Sequence, residues 1–101
     1  MHVILNRLPL SPDVDWSALT AKVDEFNALG AMSSDAFKGV SLLRTAPDEG
    51  VLLVMFTNGD ELTRVSRDVA APWFAVNIRH LLSGPVERRV GEVVAGHLAG
   101  G

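Results

Sequence analysis

Residues 51–57 read VLLVMFT, six consecutive apolar residues and a threonine between two turn-forming stretches, PDEG at 47–50 and NGD at 58–60. Consecutive apolar positions are typical of a strand that is covered on both faces, because side chains alternate between the two faces of a sheet. The run therefore predicts a strand in the middle of a sheet. Residues 37–45 (FKGVSLLRT) precede the first turn and predict its hairpin partner, with Gly39 as the position of a bulge.

The N-terminal segment predicts another strand. Residues 2–8 (HVILNRL) are mostly apolar and are followed by Pro9, which interrupts regular structure. Alternation places Asn6 on the same face as Ile4 and Leu8. An asparagine in a strand interior is unusual, and its amide needs either a local hydrogen bond, a bound water or a ligand.

A long helix is predicted to follow. Asp15 can cap a helix that begins near Trp16, and apolar residues then recur at spacings of three and four. Gly30 is predicted to end this helix, since glycine often follows the last helical residue.

The second half predicts a helix in two parts and a last strand. Asp60 is the expected N-cap of the first part. A proline disfavours helical backbone at the residue before it, so a break is expected at residues 70–71 and a new start at Pro72. The second part is expected to end at residues 83–85 (SGP), before a strand at residues 86–95.

The predicted order is β-α-β-β-α-β, which indicates an α+β, ferredoxin-like fold. It consists of a four-stranded antiparallel sheet with helices on one face. Residues 1–96 are expected to form one domain and residues 97–101 a flexible tail. Because helices cover only one sheet face, the apolar run at 51–57 requires a second cover. We therefore expect a homodimer that joins two sheets face to face.

Composition excludes several functional classes. The chain has no cysteine, so it forms no disulfide, thiolate catalyst or sulfur-ligated metal site. Its net charge is −3, and its seven arginines and two lysines are scattered, which argues against a nucleic-acid partner. Arg88 and Arg89 form an adjacent pair that is interpreted as a solvated strand edge. The absence of cysteine fits a cytoplasmic protein. No apolar run approaches the ~20 residues that span a bilayer, so no membrane partner is expected.

Candidate functional residues concentrate on the last predicted helix. Trp73, Asn77 and His80 share one helical stripe, and Phe74 lies on the neighbouring apolar stripe. An ordinary surface histidine and a packing tryptophan are the simpler interpretations. The functional alternative is a pocket between this helix and Asn6, with His80 as a general base near neutral pH.

Residues 71–86 read APWFAVNIRHLLSGPV. With the element order and the chain length, this stretch resembles the antibiotic biosynthesis monooxygenase superfamily. In that family the second helix often begins at a small residue, a proline and an aromatic residue, and ends in a leucine-rich segment before Gly-Pro. The resemblance implies a dimeric α+β barrel. Family members include cofactor-free oxygenases of polycyclic aromatics, haem-degrading oxygenases and isomerase-like enzymes.

The haem-degrading branch carries an asparagine in its first strand, as Asn6 does here. It also carries a tryptophan and an iron-ligating histidine on its second helix, and Trp73 and His80 are of these types. When the sequences are aligned on Phe74, however, the ligand position falls near Ile78. Haem is therefore the alternative to a site without a cofactor, and no metal is expected otherwise.

The resemblance implies a cofactor-independent monooxygenase that binds a small or polycyclic aromatic substrate. His80, Asn6 and Trp73 are then the expected catalytic residues, and Asn77 and Phe74 the expected substrate contacts. The alternatives are a haem-degrading monooxygenase and a non-catalytic dimer that binds a small apolar ligand.

Overall fold

The computed structural model describes residues 1–96, and the predicted tail at 97–101 lies outside them. The elements are β1 (His2–Pro9), α1 (Trp16–Ser33), β2 (Phe37–Ala46), β3 (Glu49–Phe56), α2 (Gly59–Val65), a π-helical turn (Ser66–Ala70), α3 (Ala71–Asn77), a 3-10 turn (Arg79–Leu81) and β4 (Glu87–Glu92). The strands form one antiparallel sheet in the order β2-β3-β1-β4. This arrangement confirms the predicted ferredoxin-like fold.

β3 lies between β1 and β2, as the apolar run predicts. Its residues alternate along the strand: Leu52, Val54 and Phe56 are buried beneath the helices, whereas Leu53 and Met55 are half-buried on the opposite face. Leucine, valine and phenylalanine side chains from the sheet and from α1 and α2 form the core on the helical side. Within residues 1–96, the helices therefore cover one face of the sheet and the other face stays open.

The first helix continues beyond its predicted end. Asp15 caps it as expected, its Oδ1 accepting hydrogen bonds from the backbone N–H groups of Ser17 (3.0 Å) and Ala18 (3.2 Å). Gly30, predicted to end the helix, is buried inside it. A Cβ atom at Gly30 would lie 2.6 Å from the ring of Phe37. Glycine is present because the ring packs against the helix backbone, and this contact is invisible in the local sequence.

The bulge predicted at Gly39 is confirmed. Gly39 has a φ of 125°, and the register of β2 on β3 shifts between Phe37 and Gly39. Asn27 of α1 holds the irregular backbone, since its amide donates to the carbonyl of Val40 (3.1 Å) and accepts from the N–H of Val40 (2.9 Å). The bulge is thus fixed to the long helix.

The second helical region differs from the prediction at its start and at its proline. Asn58 rather than Asp60 is the N-cap, with Oδ1 accepting from the backbone N–H of Asp60 at 2.8 Å. No break occurs at residues 70–71, because the N–H of Ala71 donates to the carbonyl of Ser66, five residues earlier. This widened turn lies immediately before Pro72, which has no N–H to donate. The proline is accommodated by a π turn inside a continuous helical segment.

The last helix ends earlier than predicted. α3 stops at Asn77, a 3-10 turn follows, and Leu82 pairs with Leu10 in an isolated bridge. Consequently the predicted stripe of Trp73, Asn77 and His80 does not extend as one helical face. The final strand is also shorter than the predicted 86–95. No helix among the described residues is long and apolar enough to cross a bilayer.

Candidate functional site

A cavity of about 360 Å³ lies between the helix-facing side of the sheet and the helical segments. Its floor is built by the strands, one wall by α1, and the other wall by the π turn and α3. The apolar side chains that define it include Ile4, Leu52, Val54, Phe26, Trp73 and Phe74. Such a concave apolar space with few polar groups is typical of a small-molecule site.

Asn6 lies in the floor of this cavity. The amides of Asn27, Asn58 and Asn77 each bond to backbone groups, but the Asn6 amide forms no hydrogen bond within residues 1–96. It is therefore free to bind a ligand or water. This is the alternative that the sequence left open for an asparagine between apolar strand neighbours.

The aromatic wall is formed by Phe26, Trp73 and Phe74. The rings of Phe26 and Trp73 are 4.9 Å apart between centroids and tilted by 51°. Trp73 is half-buried, and its indole N–H has no hydrogen-bond partner among the residues described. A planar ligand in the cavity would contact electron-rich aromatic surfaces.

The hydroxyl of Ser66 is a polar group that sequence reasoning missed. Ser66 is the first residue of the π turn and lines the cavity. Its Oγ is buried without a hydrogen-bond partner. A buried hydroxyl without a partner costs free energy unless a ligand or water satisfies it. The sequence contains a signal for this residue. Ser66 lies four residues after Leu62, so it is a polar residue on an otherwise apolar helical face.

Two arginines line the cavity, Arg79 from the 3-10 turn and Arg88 from β4. Neither forms an ion pair within residues 1–96, and no aspartate or glutamate lines the cavity. β4 is an exposed edge strand, as predicted for the Arg88 and Arg89 pair. Arg88 nevertheless belongs to the cavity, because it lies directly opposite Asn6 in the sheet register.

α2 is anchored to the C-terminal end of α1 by a polar network around Arg64. Its guanidinium donates to the carbonyl of Ser33 (2.8 Å) and to the carboxylate of Glu61, which also accepts from the hydroxyl of Ser34 (3.0 Å). The hydrogen bond from Arg64, and next the one from Ser34, lower the pKa of Glu61 below its ordinary value. This network holds α2 in place just before the cavity wall begins.

The structure brings three of the five predicted site residues together. Asn6, Trp73 and Phe74 line the same cavity. Asn77 does not line it, and its Nδ2 donates to the carbonyl of Trp73 in its own helix at 2.9 Å. His80 is exposed on the 3-10 turn and is also absent from the lining. The catalytic and binding roles of all five residues remain predictions.

The cavity residues do not fit a haem iron. Among residues 1–96, the lining contains no histidine, cysteine, methionine or tyrosine, which are the side chains that ligate haem. Within residues 1–96 there is also no group of three or more His, Cys, Asp or Glu residues that could hold a metal ion.

Known structures share this architecture. No protein-family model matches the sequence, and no curated protein matches it. A structure of Rv0793 from Mycobacterium tuberculosis is 22% identical with a TM-score of 0.72, and the match covers 94% of this chain and 96% of that one. SnoaB from Streptomyces nogalater, described as a cofactor-independent oxygenase, is 17% identical with a TM-score of 0.73 over 94% of both chains.

A protein of Caulobacter crescentus, provisionally described as an antibiotic biosynthesis monooxygenase, is 13% identical with a TM-score of 0.74. That match covers 93% of this chain and 90% of the other. At these identities the likeness shows the fold alone. The chain has the fold of the antibiotic biosynthesis monooxygenases, as the resemblance of residues 71–86 implied.

Proposed function

We propose that the protein is a cofactor-independent monooxygenase of a polycyclic aromatic substrate. The observation that carries this proposal is the apolar cavity of about 360 Å³, with an aromatic wall and the unengaged amide of Asn6 in its floor. The fold shared with SnoaB, described as a cofactor-independent oxygenase, supports the same reaction type.

The cavity volume limits the size of the substrate. An engineered apolar cavity of about 150 Å³ holds benzene. At about 360 Å³ the present cavity has room for roughly two or three fused rings. Such a ring system would lie on Leu52 and Val54 and contact Trp73.

The proposed reaction oxidises an activated ring CH₂ group to a ketone. Loss of one proton gives a carbanion, which passes one electron to O₂, and the resulting radical and superoxide combine to form a C–O bond. The peroxide takes up a proton; removal of the second C–H proton then breaks the O–O bond. One oxygen atom remains as the ketone and the other leaves as water, so no reductant or cofactor is required.

The residues have distinct proposed roles in this reaction. Asn6 would donate a hydrogen bond to the oxygen of the ionised substrate, and this bond strengthens as negative charge develops. Trp73 would hold the plane of the ring. His80 remains the proposed base; it follows Arg79 on the exposed turn and would take the proton through a water at the cavity rim.

Oxygen uptake with anthrone tests the proposal. Anthrone has three fused rings and an activated CH₂ group, so one O₂ should be consumed for each anthraquinone formed, above the rate without protein. Dialysis against a chelator should leave the rate unchanged. His80→Ala should abolish most turnover, and full activity in that variant would rule out His80 as the base. No protein-dependent uptake would overturn the monooxygenase proposal.

A non-catalytic binding dimer is the second candidate. The observation in its favour is that no imidazole or carboxylate from residues 1–96 lines the cavity. Saturable binding of aromatic ligands without any oxygen uptake would support this candidate over the enzyme.

We also propose that the protein is a homodimer joined through its open sheet face. Leu5 and Leu43 are 38% and 42% exposed on this face, beside the half-buried Leu53 and Met55. A second copy would remove these apolar side chains from water, and such burial contributes about 25 cal/mol per Å².

A further inference from the structure

The polarity of the sheet changes across one row of side chains beneath the helices. Leu42, Leu52, Asn6 and Arg88 are successive cross-strand partners on β2, β3, β1 and β4. Leu52, Asn6 and Arg88 all line the cavity. From β2 toward the edge strand β4, the side chains of this row therefore change from two leucines to an amide and then to a guanidinium. A ligand that lies along this row would have an apolar end and a polar end.

The polar end of the cavity carries positive charge. Arg88 and Arg79 line the cavity, no acidic residue does, and neither guanidinium has an ion-pair partner among residues 1–96. This local excess contrasts with the net charge of −3 for the chain. Beside a low-dielectric wall, such charge attracts an anion more strongly than it would in open solvent.

A second groove adjoins the cavity on the side of the edge strand. A neighbouring groove of about 450 Å³ between α2 and β4 shares Ser66, Ala71 and Arg88 with the cavity. The shared residues show that the two spaces are adjacent. Arg88 therefore lines both the cavity and the groove.

We infer that the cavity selects an aromatic carboxylate of about two or three fused rings, with the carboxylate bound by Arg88. The planar guanidinium presents paired N–H donors that match a carboxylate. Arg79 adds a second positive charge to the cavity lining. The rings occupy the apolar part of the cavity beside Trp73. This anchor uses the site of the proposed function but does not depend on turnover.

Arg89 provides a matched control for Arg88. The two residues are adjacent on β4, so their side chains point to opposite faces of the sheet. Arg88 is the cross-strand partner of Asn6, whereas Arg89 is the partner of Leu5 on the open face. Both residues are exposed, so glutamine at either position should leave folding intact.

Fluorescence anisotropy of anthracene-2-carboxylate tests the inference, with anthracene-2-carboxamide as the neutral probe of the same shape. The wild-type protein should bind the carboxylate about tenfold more tightly than the carboxamide, as expected for hydrogen bonds to a charged group. Arg88→Gln should weaken carboxylate binding about tenfold and change carboxamide binding less than about twofold. Arg79→Gln should weaken carboxylate binding by a smaller factor, and Arg89→Gln should leave both affinities unchanged.

Three results would overturn the inference: equal affinity for the two probes, equal losses in Arg88→Gln and Arg89→Gln, or no binding of either probe. Each of these concerns equilibrium binding alone. Oxygen uptake with the uncharged anthrone tests the proposed reaction separately, so the two can fail independently.

Discussion

Asn6 and Arg88 lie directly opposite each other on β1 and β4, and both line the cavity beneath the helices. On its other side Asn6 faces Leu52 of β3. The asparagine thus stands at the boundary between the aliphatic part of the floor and its cationic end. Its amide can contact the reacting part of a ligand whose rings lie on one side and whose charge lies on the other.

Asn6→Leu should reduce anthrone oxidation at least tenfold without lowering the free energy of unfolding. The amide has no hydrogen-bond partner in residues 1–96, so its removal breaks no hydrogen bond within them. Asn27→Leu is the control, since it removes two hydrogen bonds to Val40. Urea unfolding should show that Asn27→Leu costs about 1–3 kcal/mol. A similar loss of stability in Asn6→Leu would assign that amide a structural role.

Trp73→Ala should weaken binding of anthracene-2-carboxamide about tenfold, because aromatic contacts are worth roughly 0.5–1.5 kcal/mol beyond burial. Trp73→Phe should restore most of the affinity. Trp16 is the matched control, as its indole N–H donates to the carbonyl of Pro47 and it does not line the cavity. Anisotropy titration of folded Trp16→Ala should give the wild-type affinity; a comparable loss there would argue against a ligand beside Trp73.

Gly30→Ala should destabilise the protein by about 1–3 kcal/mol, although alanine is the better helix former. The new Cβ would meet the ring of Phe37 at 2.6 Å, so the ring or the helix must shift. Gly91→Ala is the control, because nothing lies within 4 Å of a Cβ at that position. Denaturant titration should give a lower midpoint for Gly30→Ala only. An unchanged midpoint would mean that the ring moves aside without cost.

Leu5→Lys combined with Leu43→Lys should convert the proposed dimer to monomers. Both side chains lie on the open face of the sheet, where lysine charges would oppose apolar contact between two copies. Val76→Lys is the control on the helical side, at a residue that is 76% exposed. Sedimentation velocity at micromolar concentration should show a monomer for the double variant only. A monomeric wild-type protein would contradict the proposed interface.

Acid unfolding should depend on the pairing of Glu61 with Arg64. The hydrogen bond from Arg64 lowers the pKa of Glu61 in the folded state, so the carboxylate stabilises the fold above its unfolded pKa of about 4.3. This contribution is lost as the pH falls from there through the lowered folded value. Glu61→Gln and Arg64→Gln should therefore each make stability less dependent on pH below about 4.3. An unchanged slope in both variants would contradict the linkage.

The order of the elements could be predicted from sequence because it depends on short-range patterns. The apolar run at 51–57 and the alternation at 2–8 identify two strands without knowledge of their neighbours. Gly30 and Pro72 were misread because their roles arise elsewhere: the first accommodates the ring of Phe37, and the second follows a π turn. A contact between two distant elements and a change from α-helical to π-helical hydrogen bonding both leave no clear pattern in the local sequence.

The candidate site was predicted only in part for a similar reason. Asn6 and Trp73 were found as unusual residues within regular elements, and both line the cavity. His80 was placed on the stripe of Trp73 by assuming a helix that in fact ends at Asn77. Arg88 was missed, since its place in the cavity depends on the register between β4 and β1.

The π turn also controls which side chains the last helix directs into the cavity. A regular α-helix rotates by about 100° for each residue, so the one extra residue in a π turn changes the direction of everything that follows. Deleting one residue between Ser66 and Ala70 would turn Trp73 and Phe74 away from the cavity and bring their neighbours into it. A one-residue deletion in the π turn would thus replace the aromatic wall of the cavity with other side chains, although the sequence of α3 itself would be unchanged.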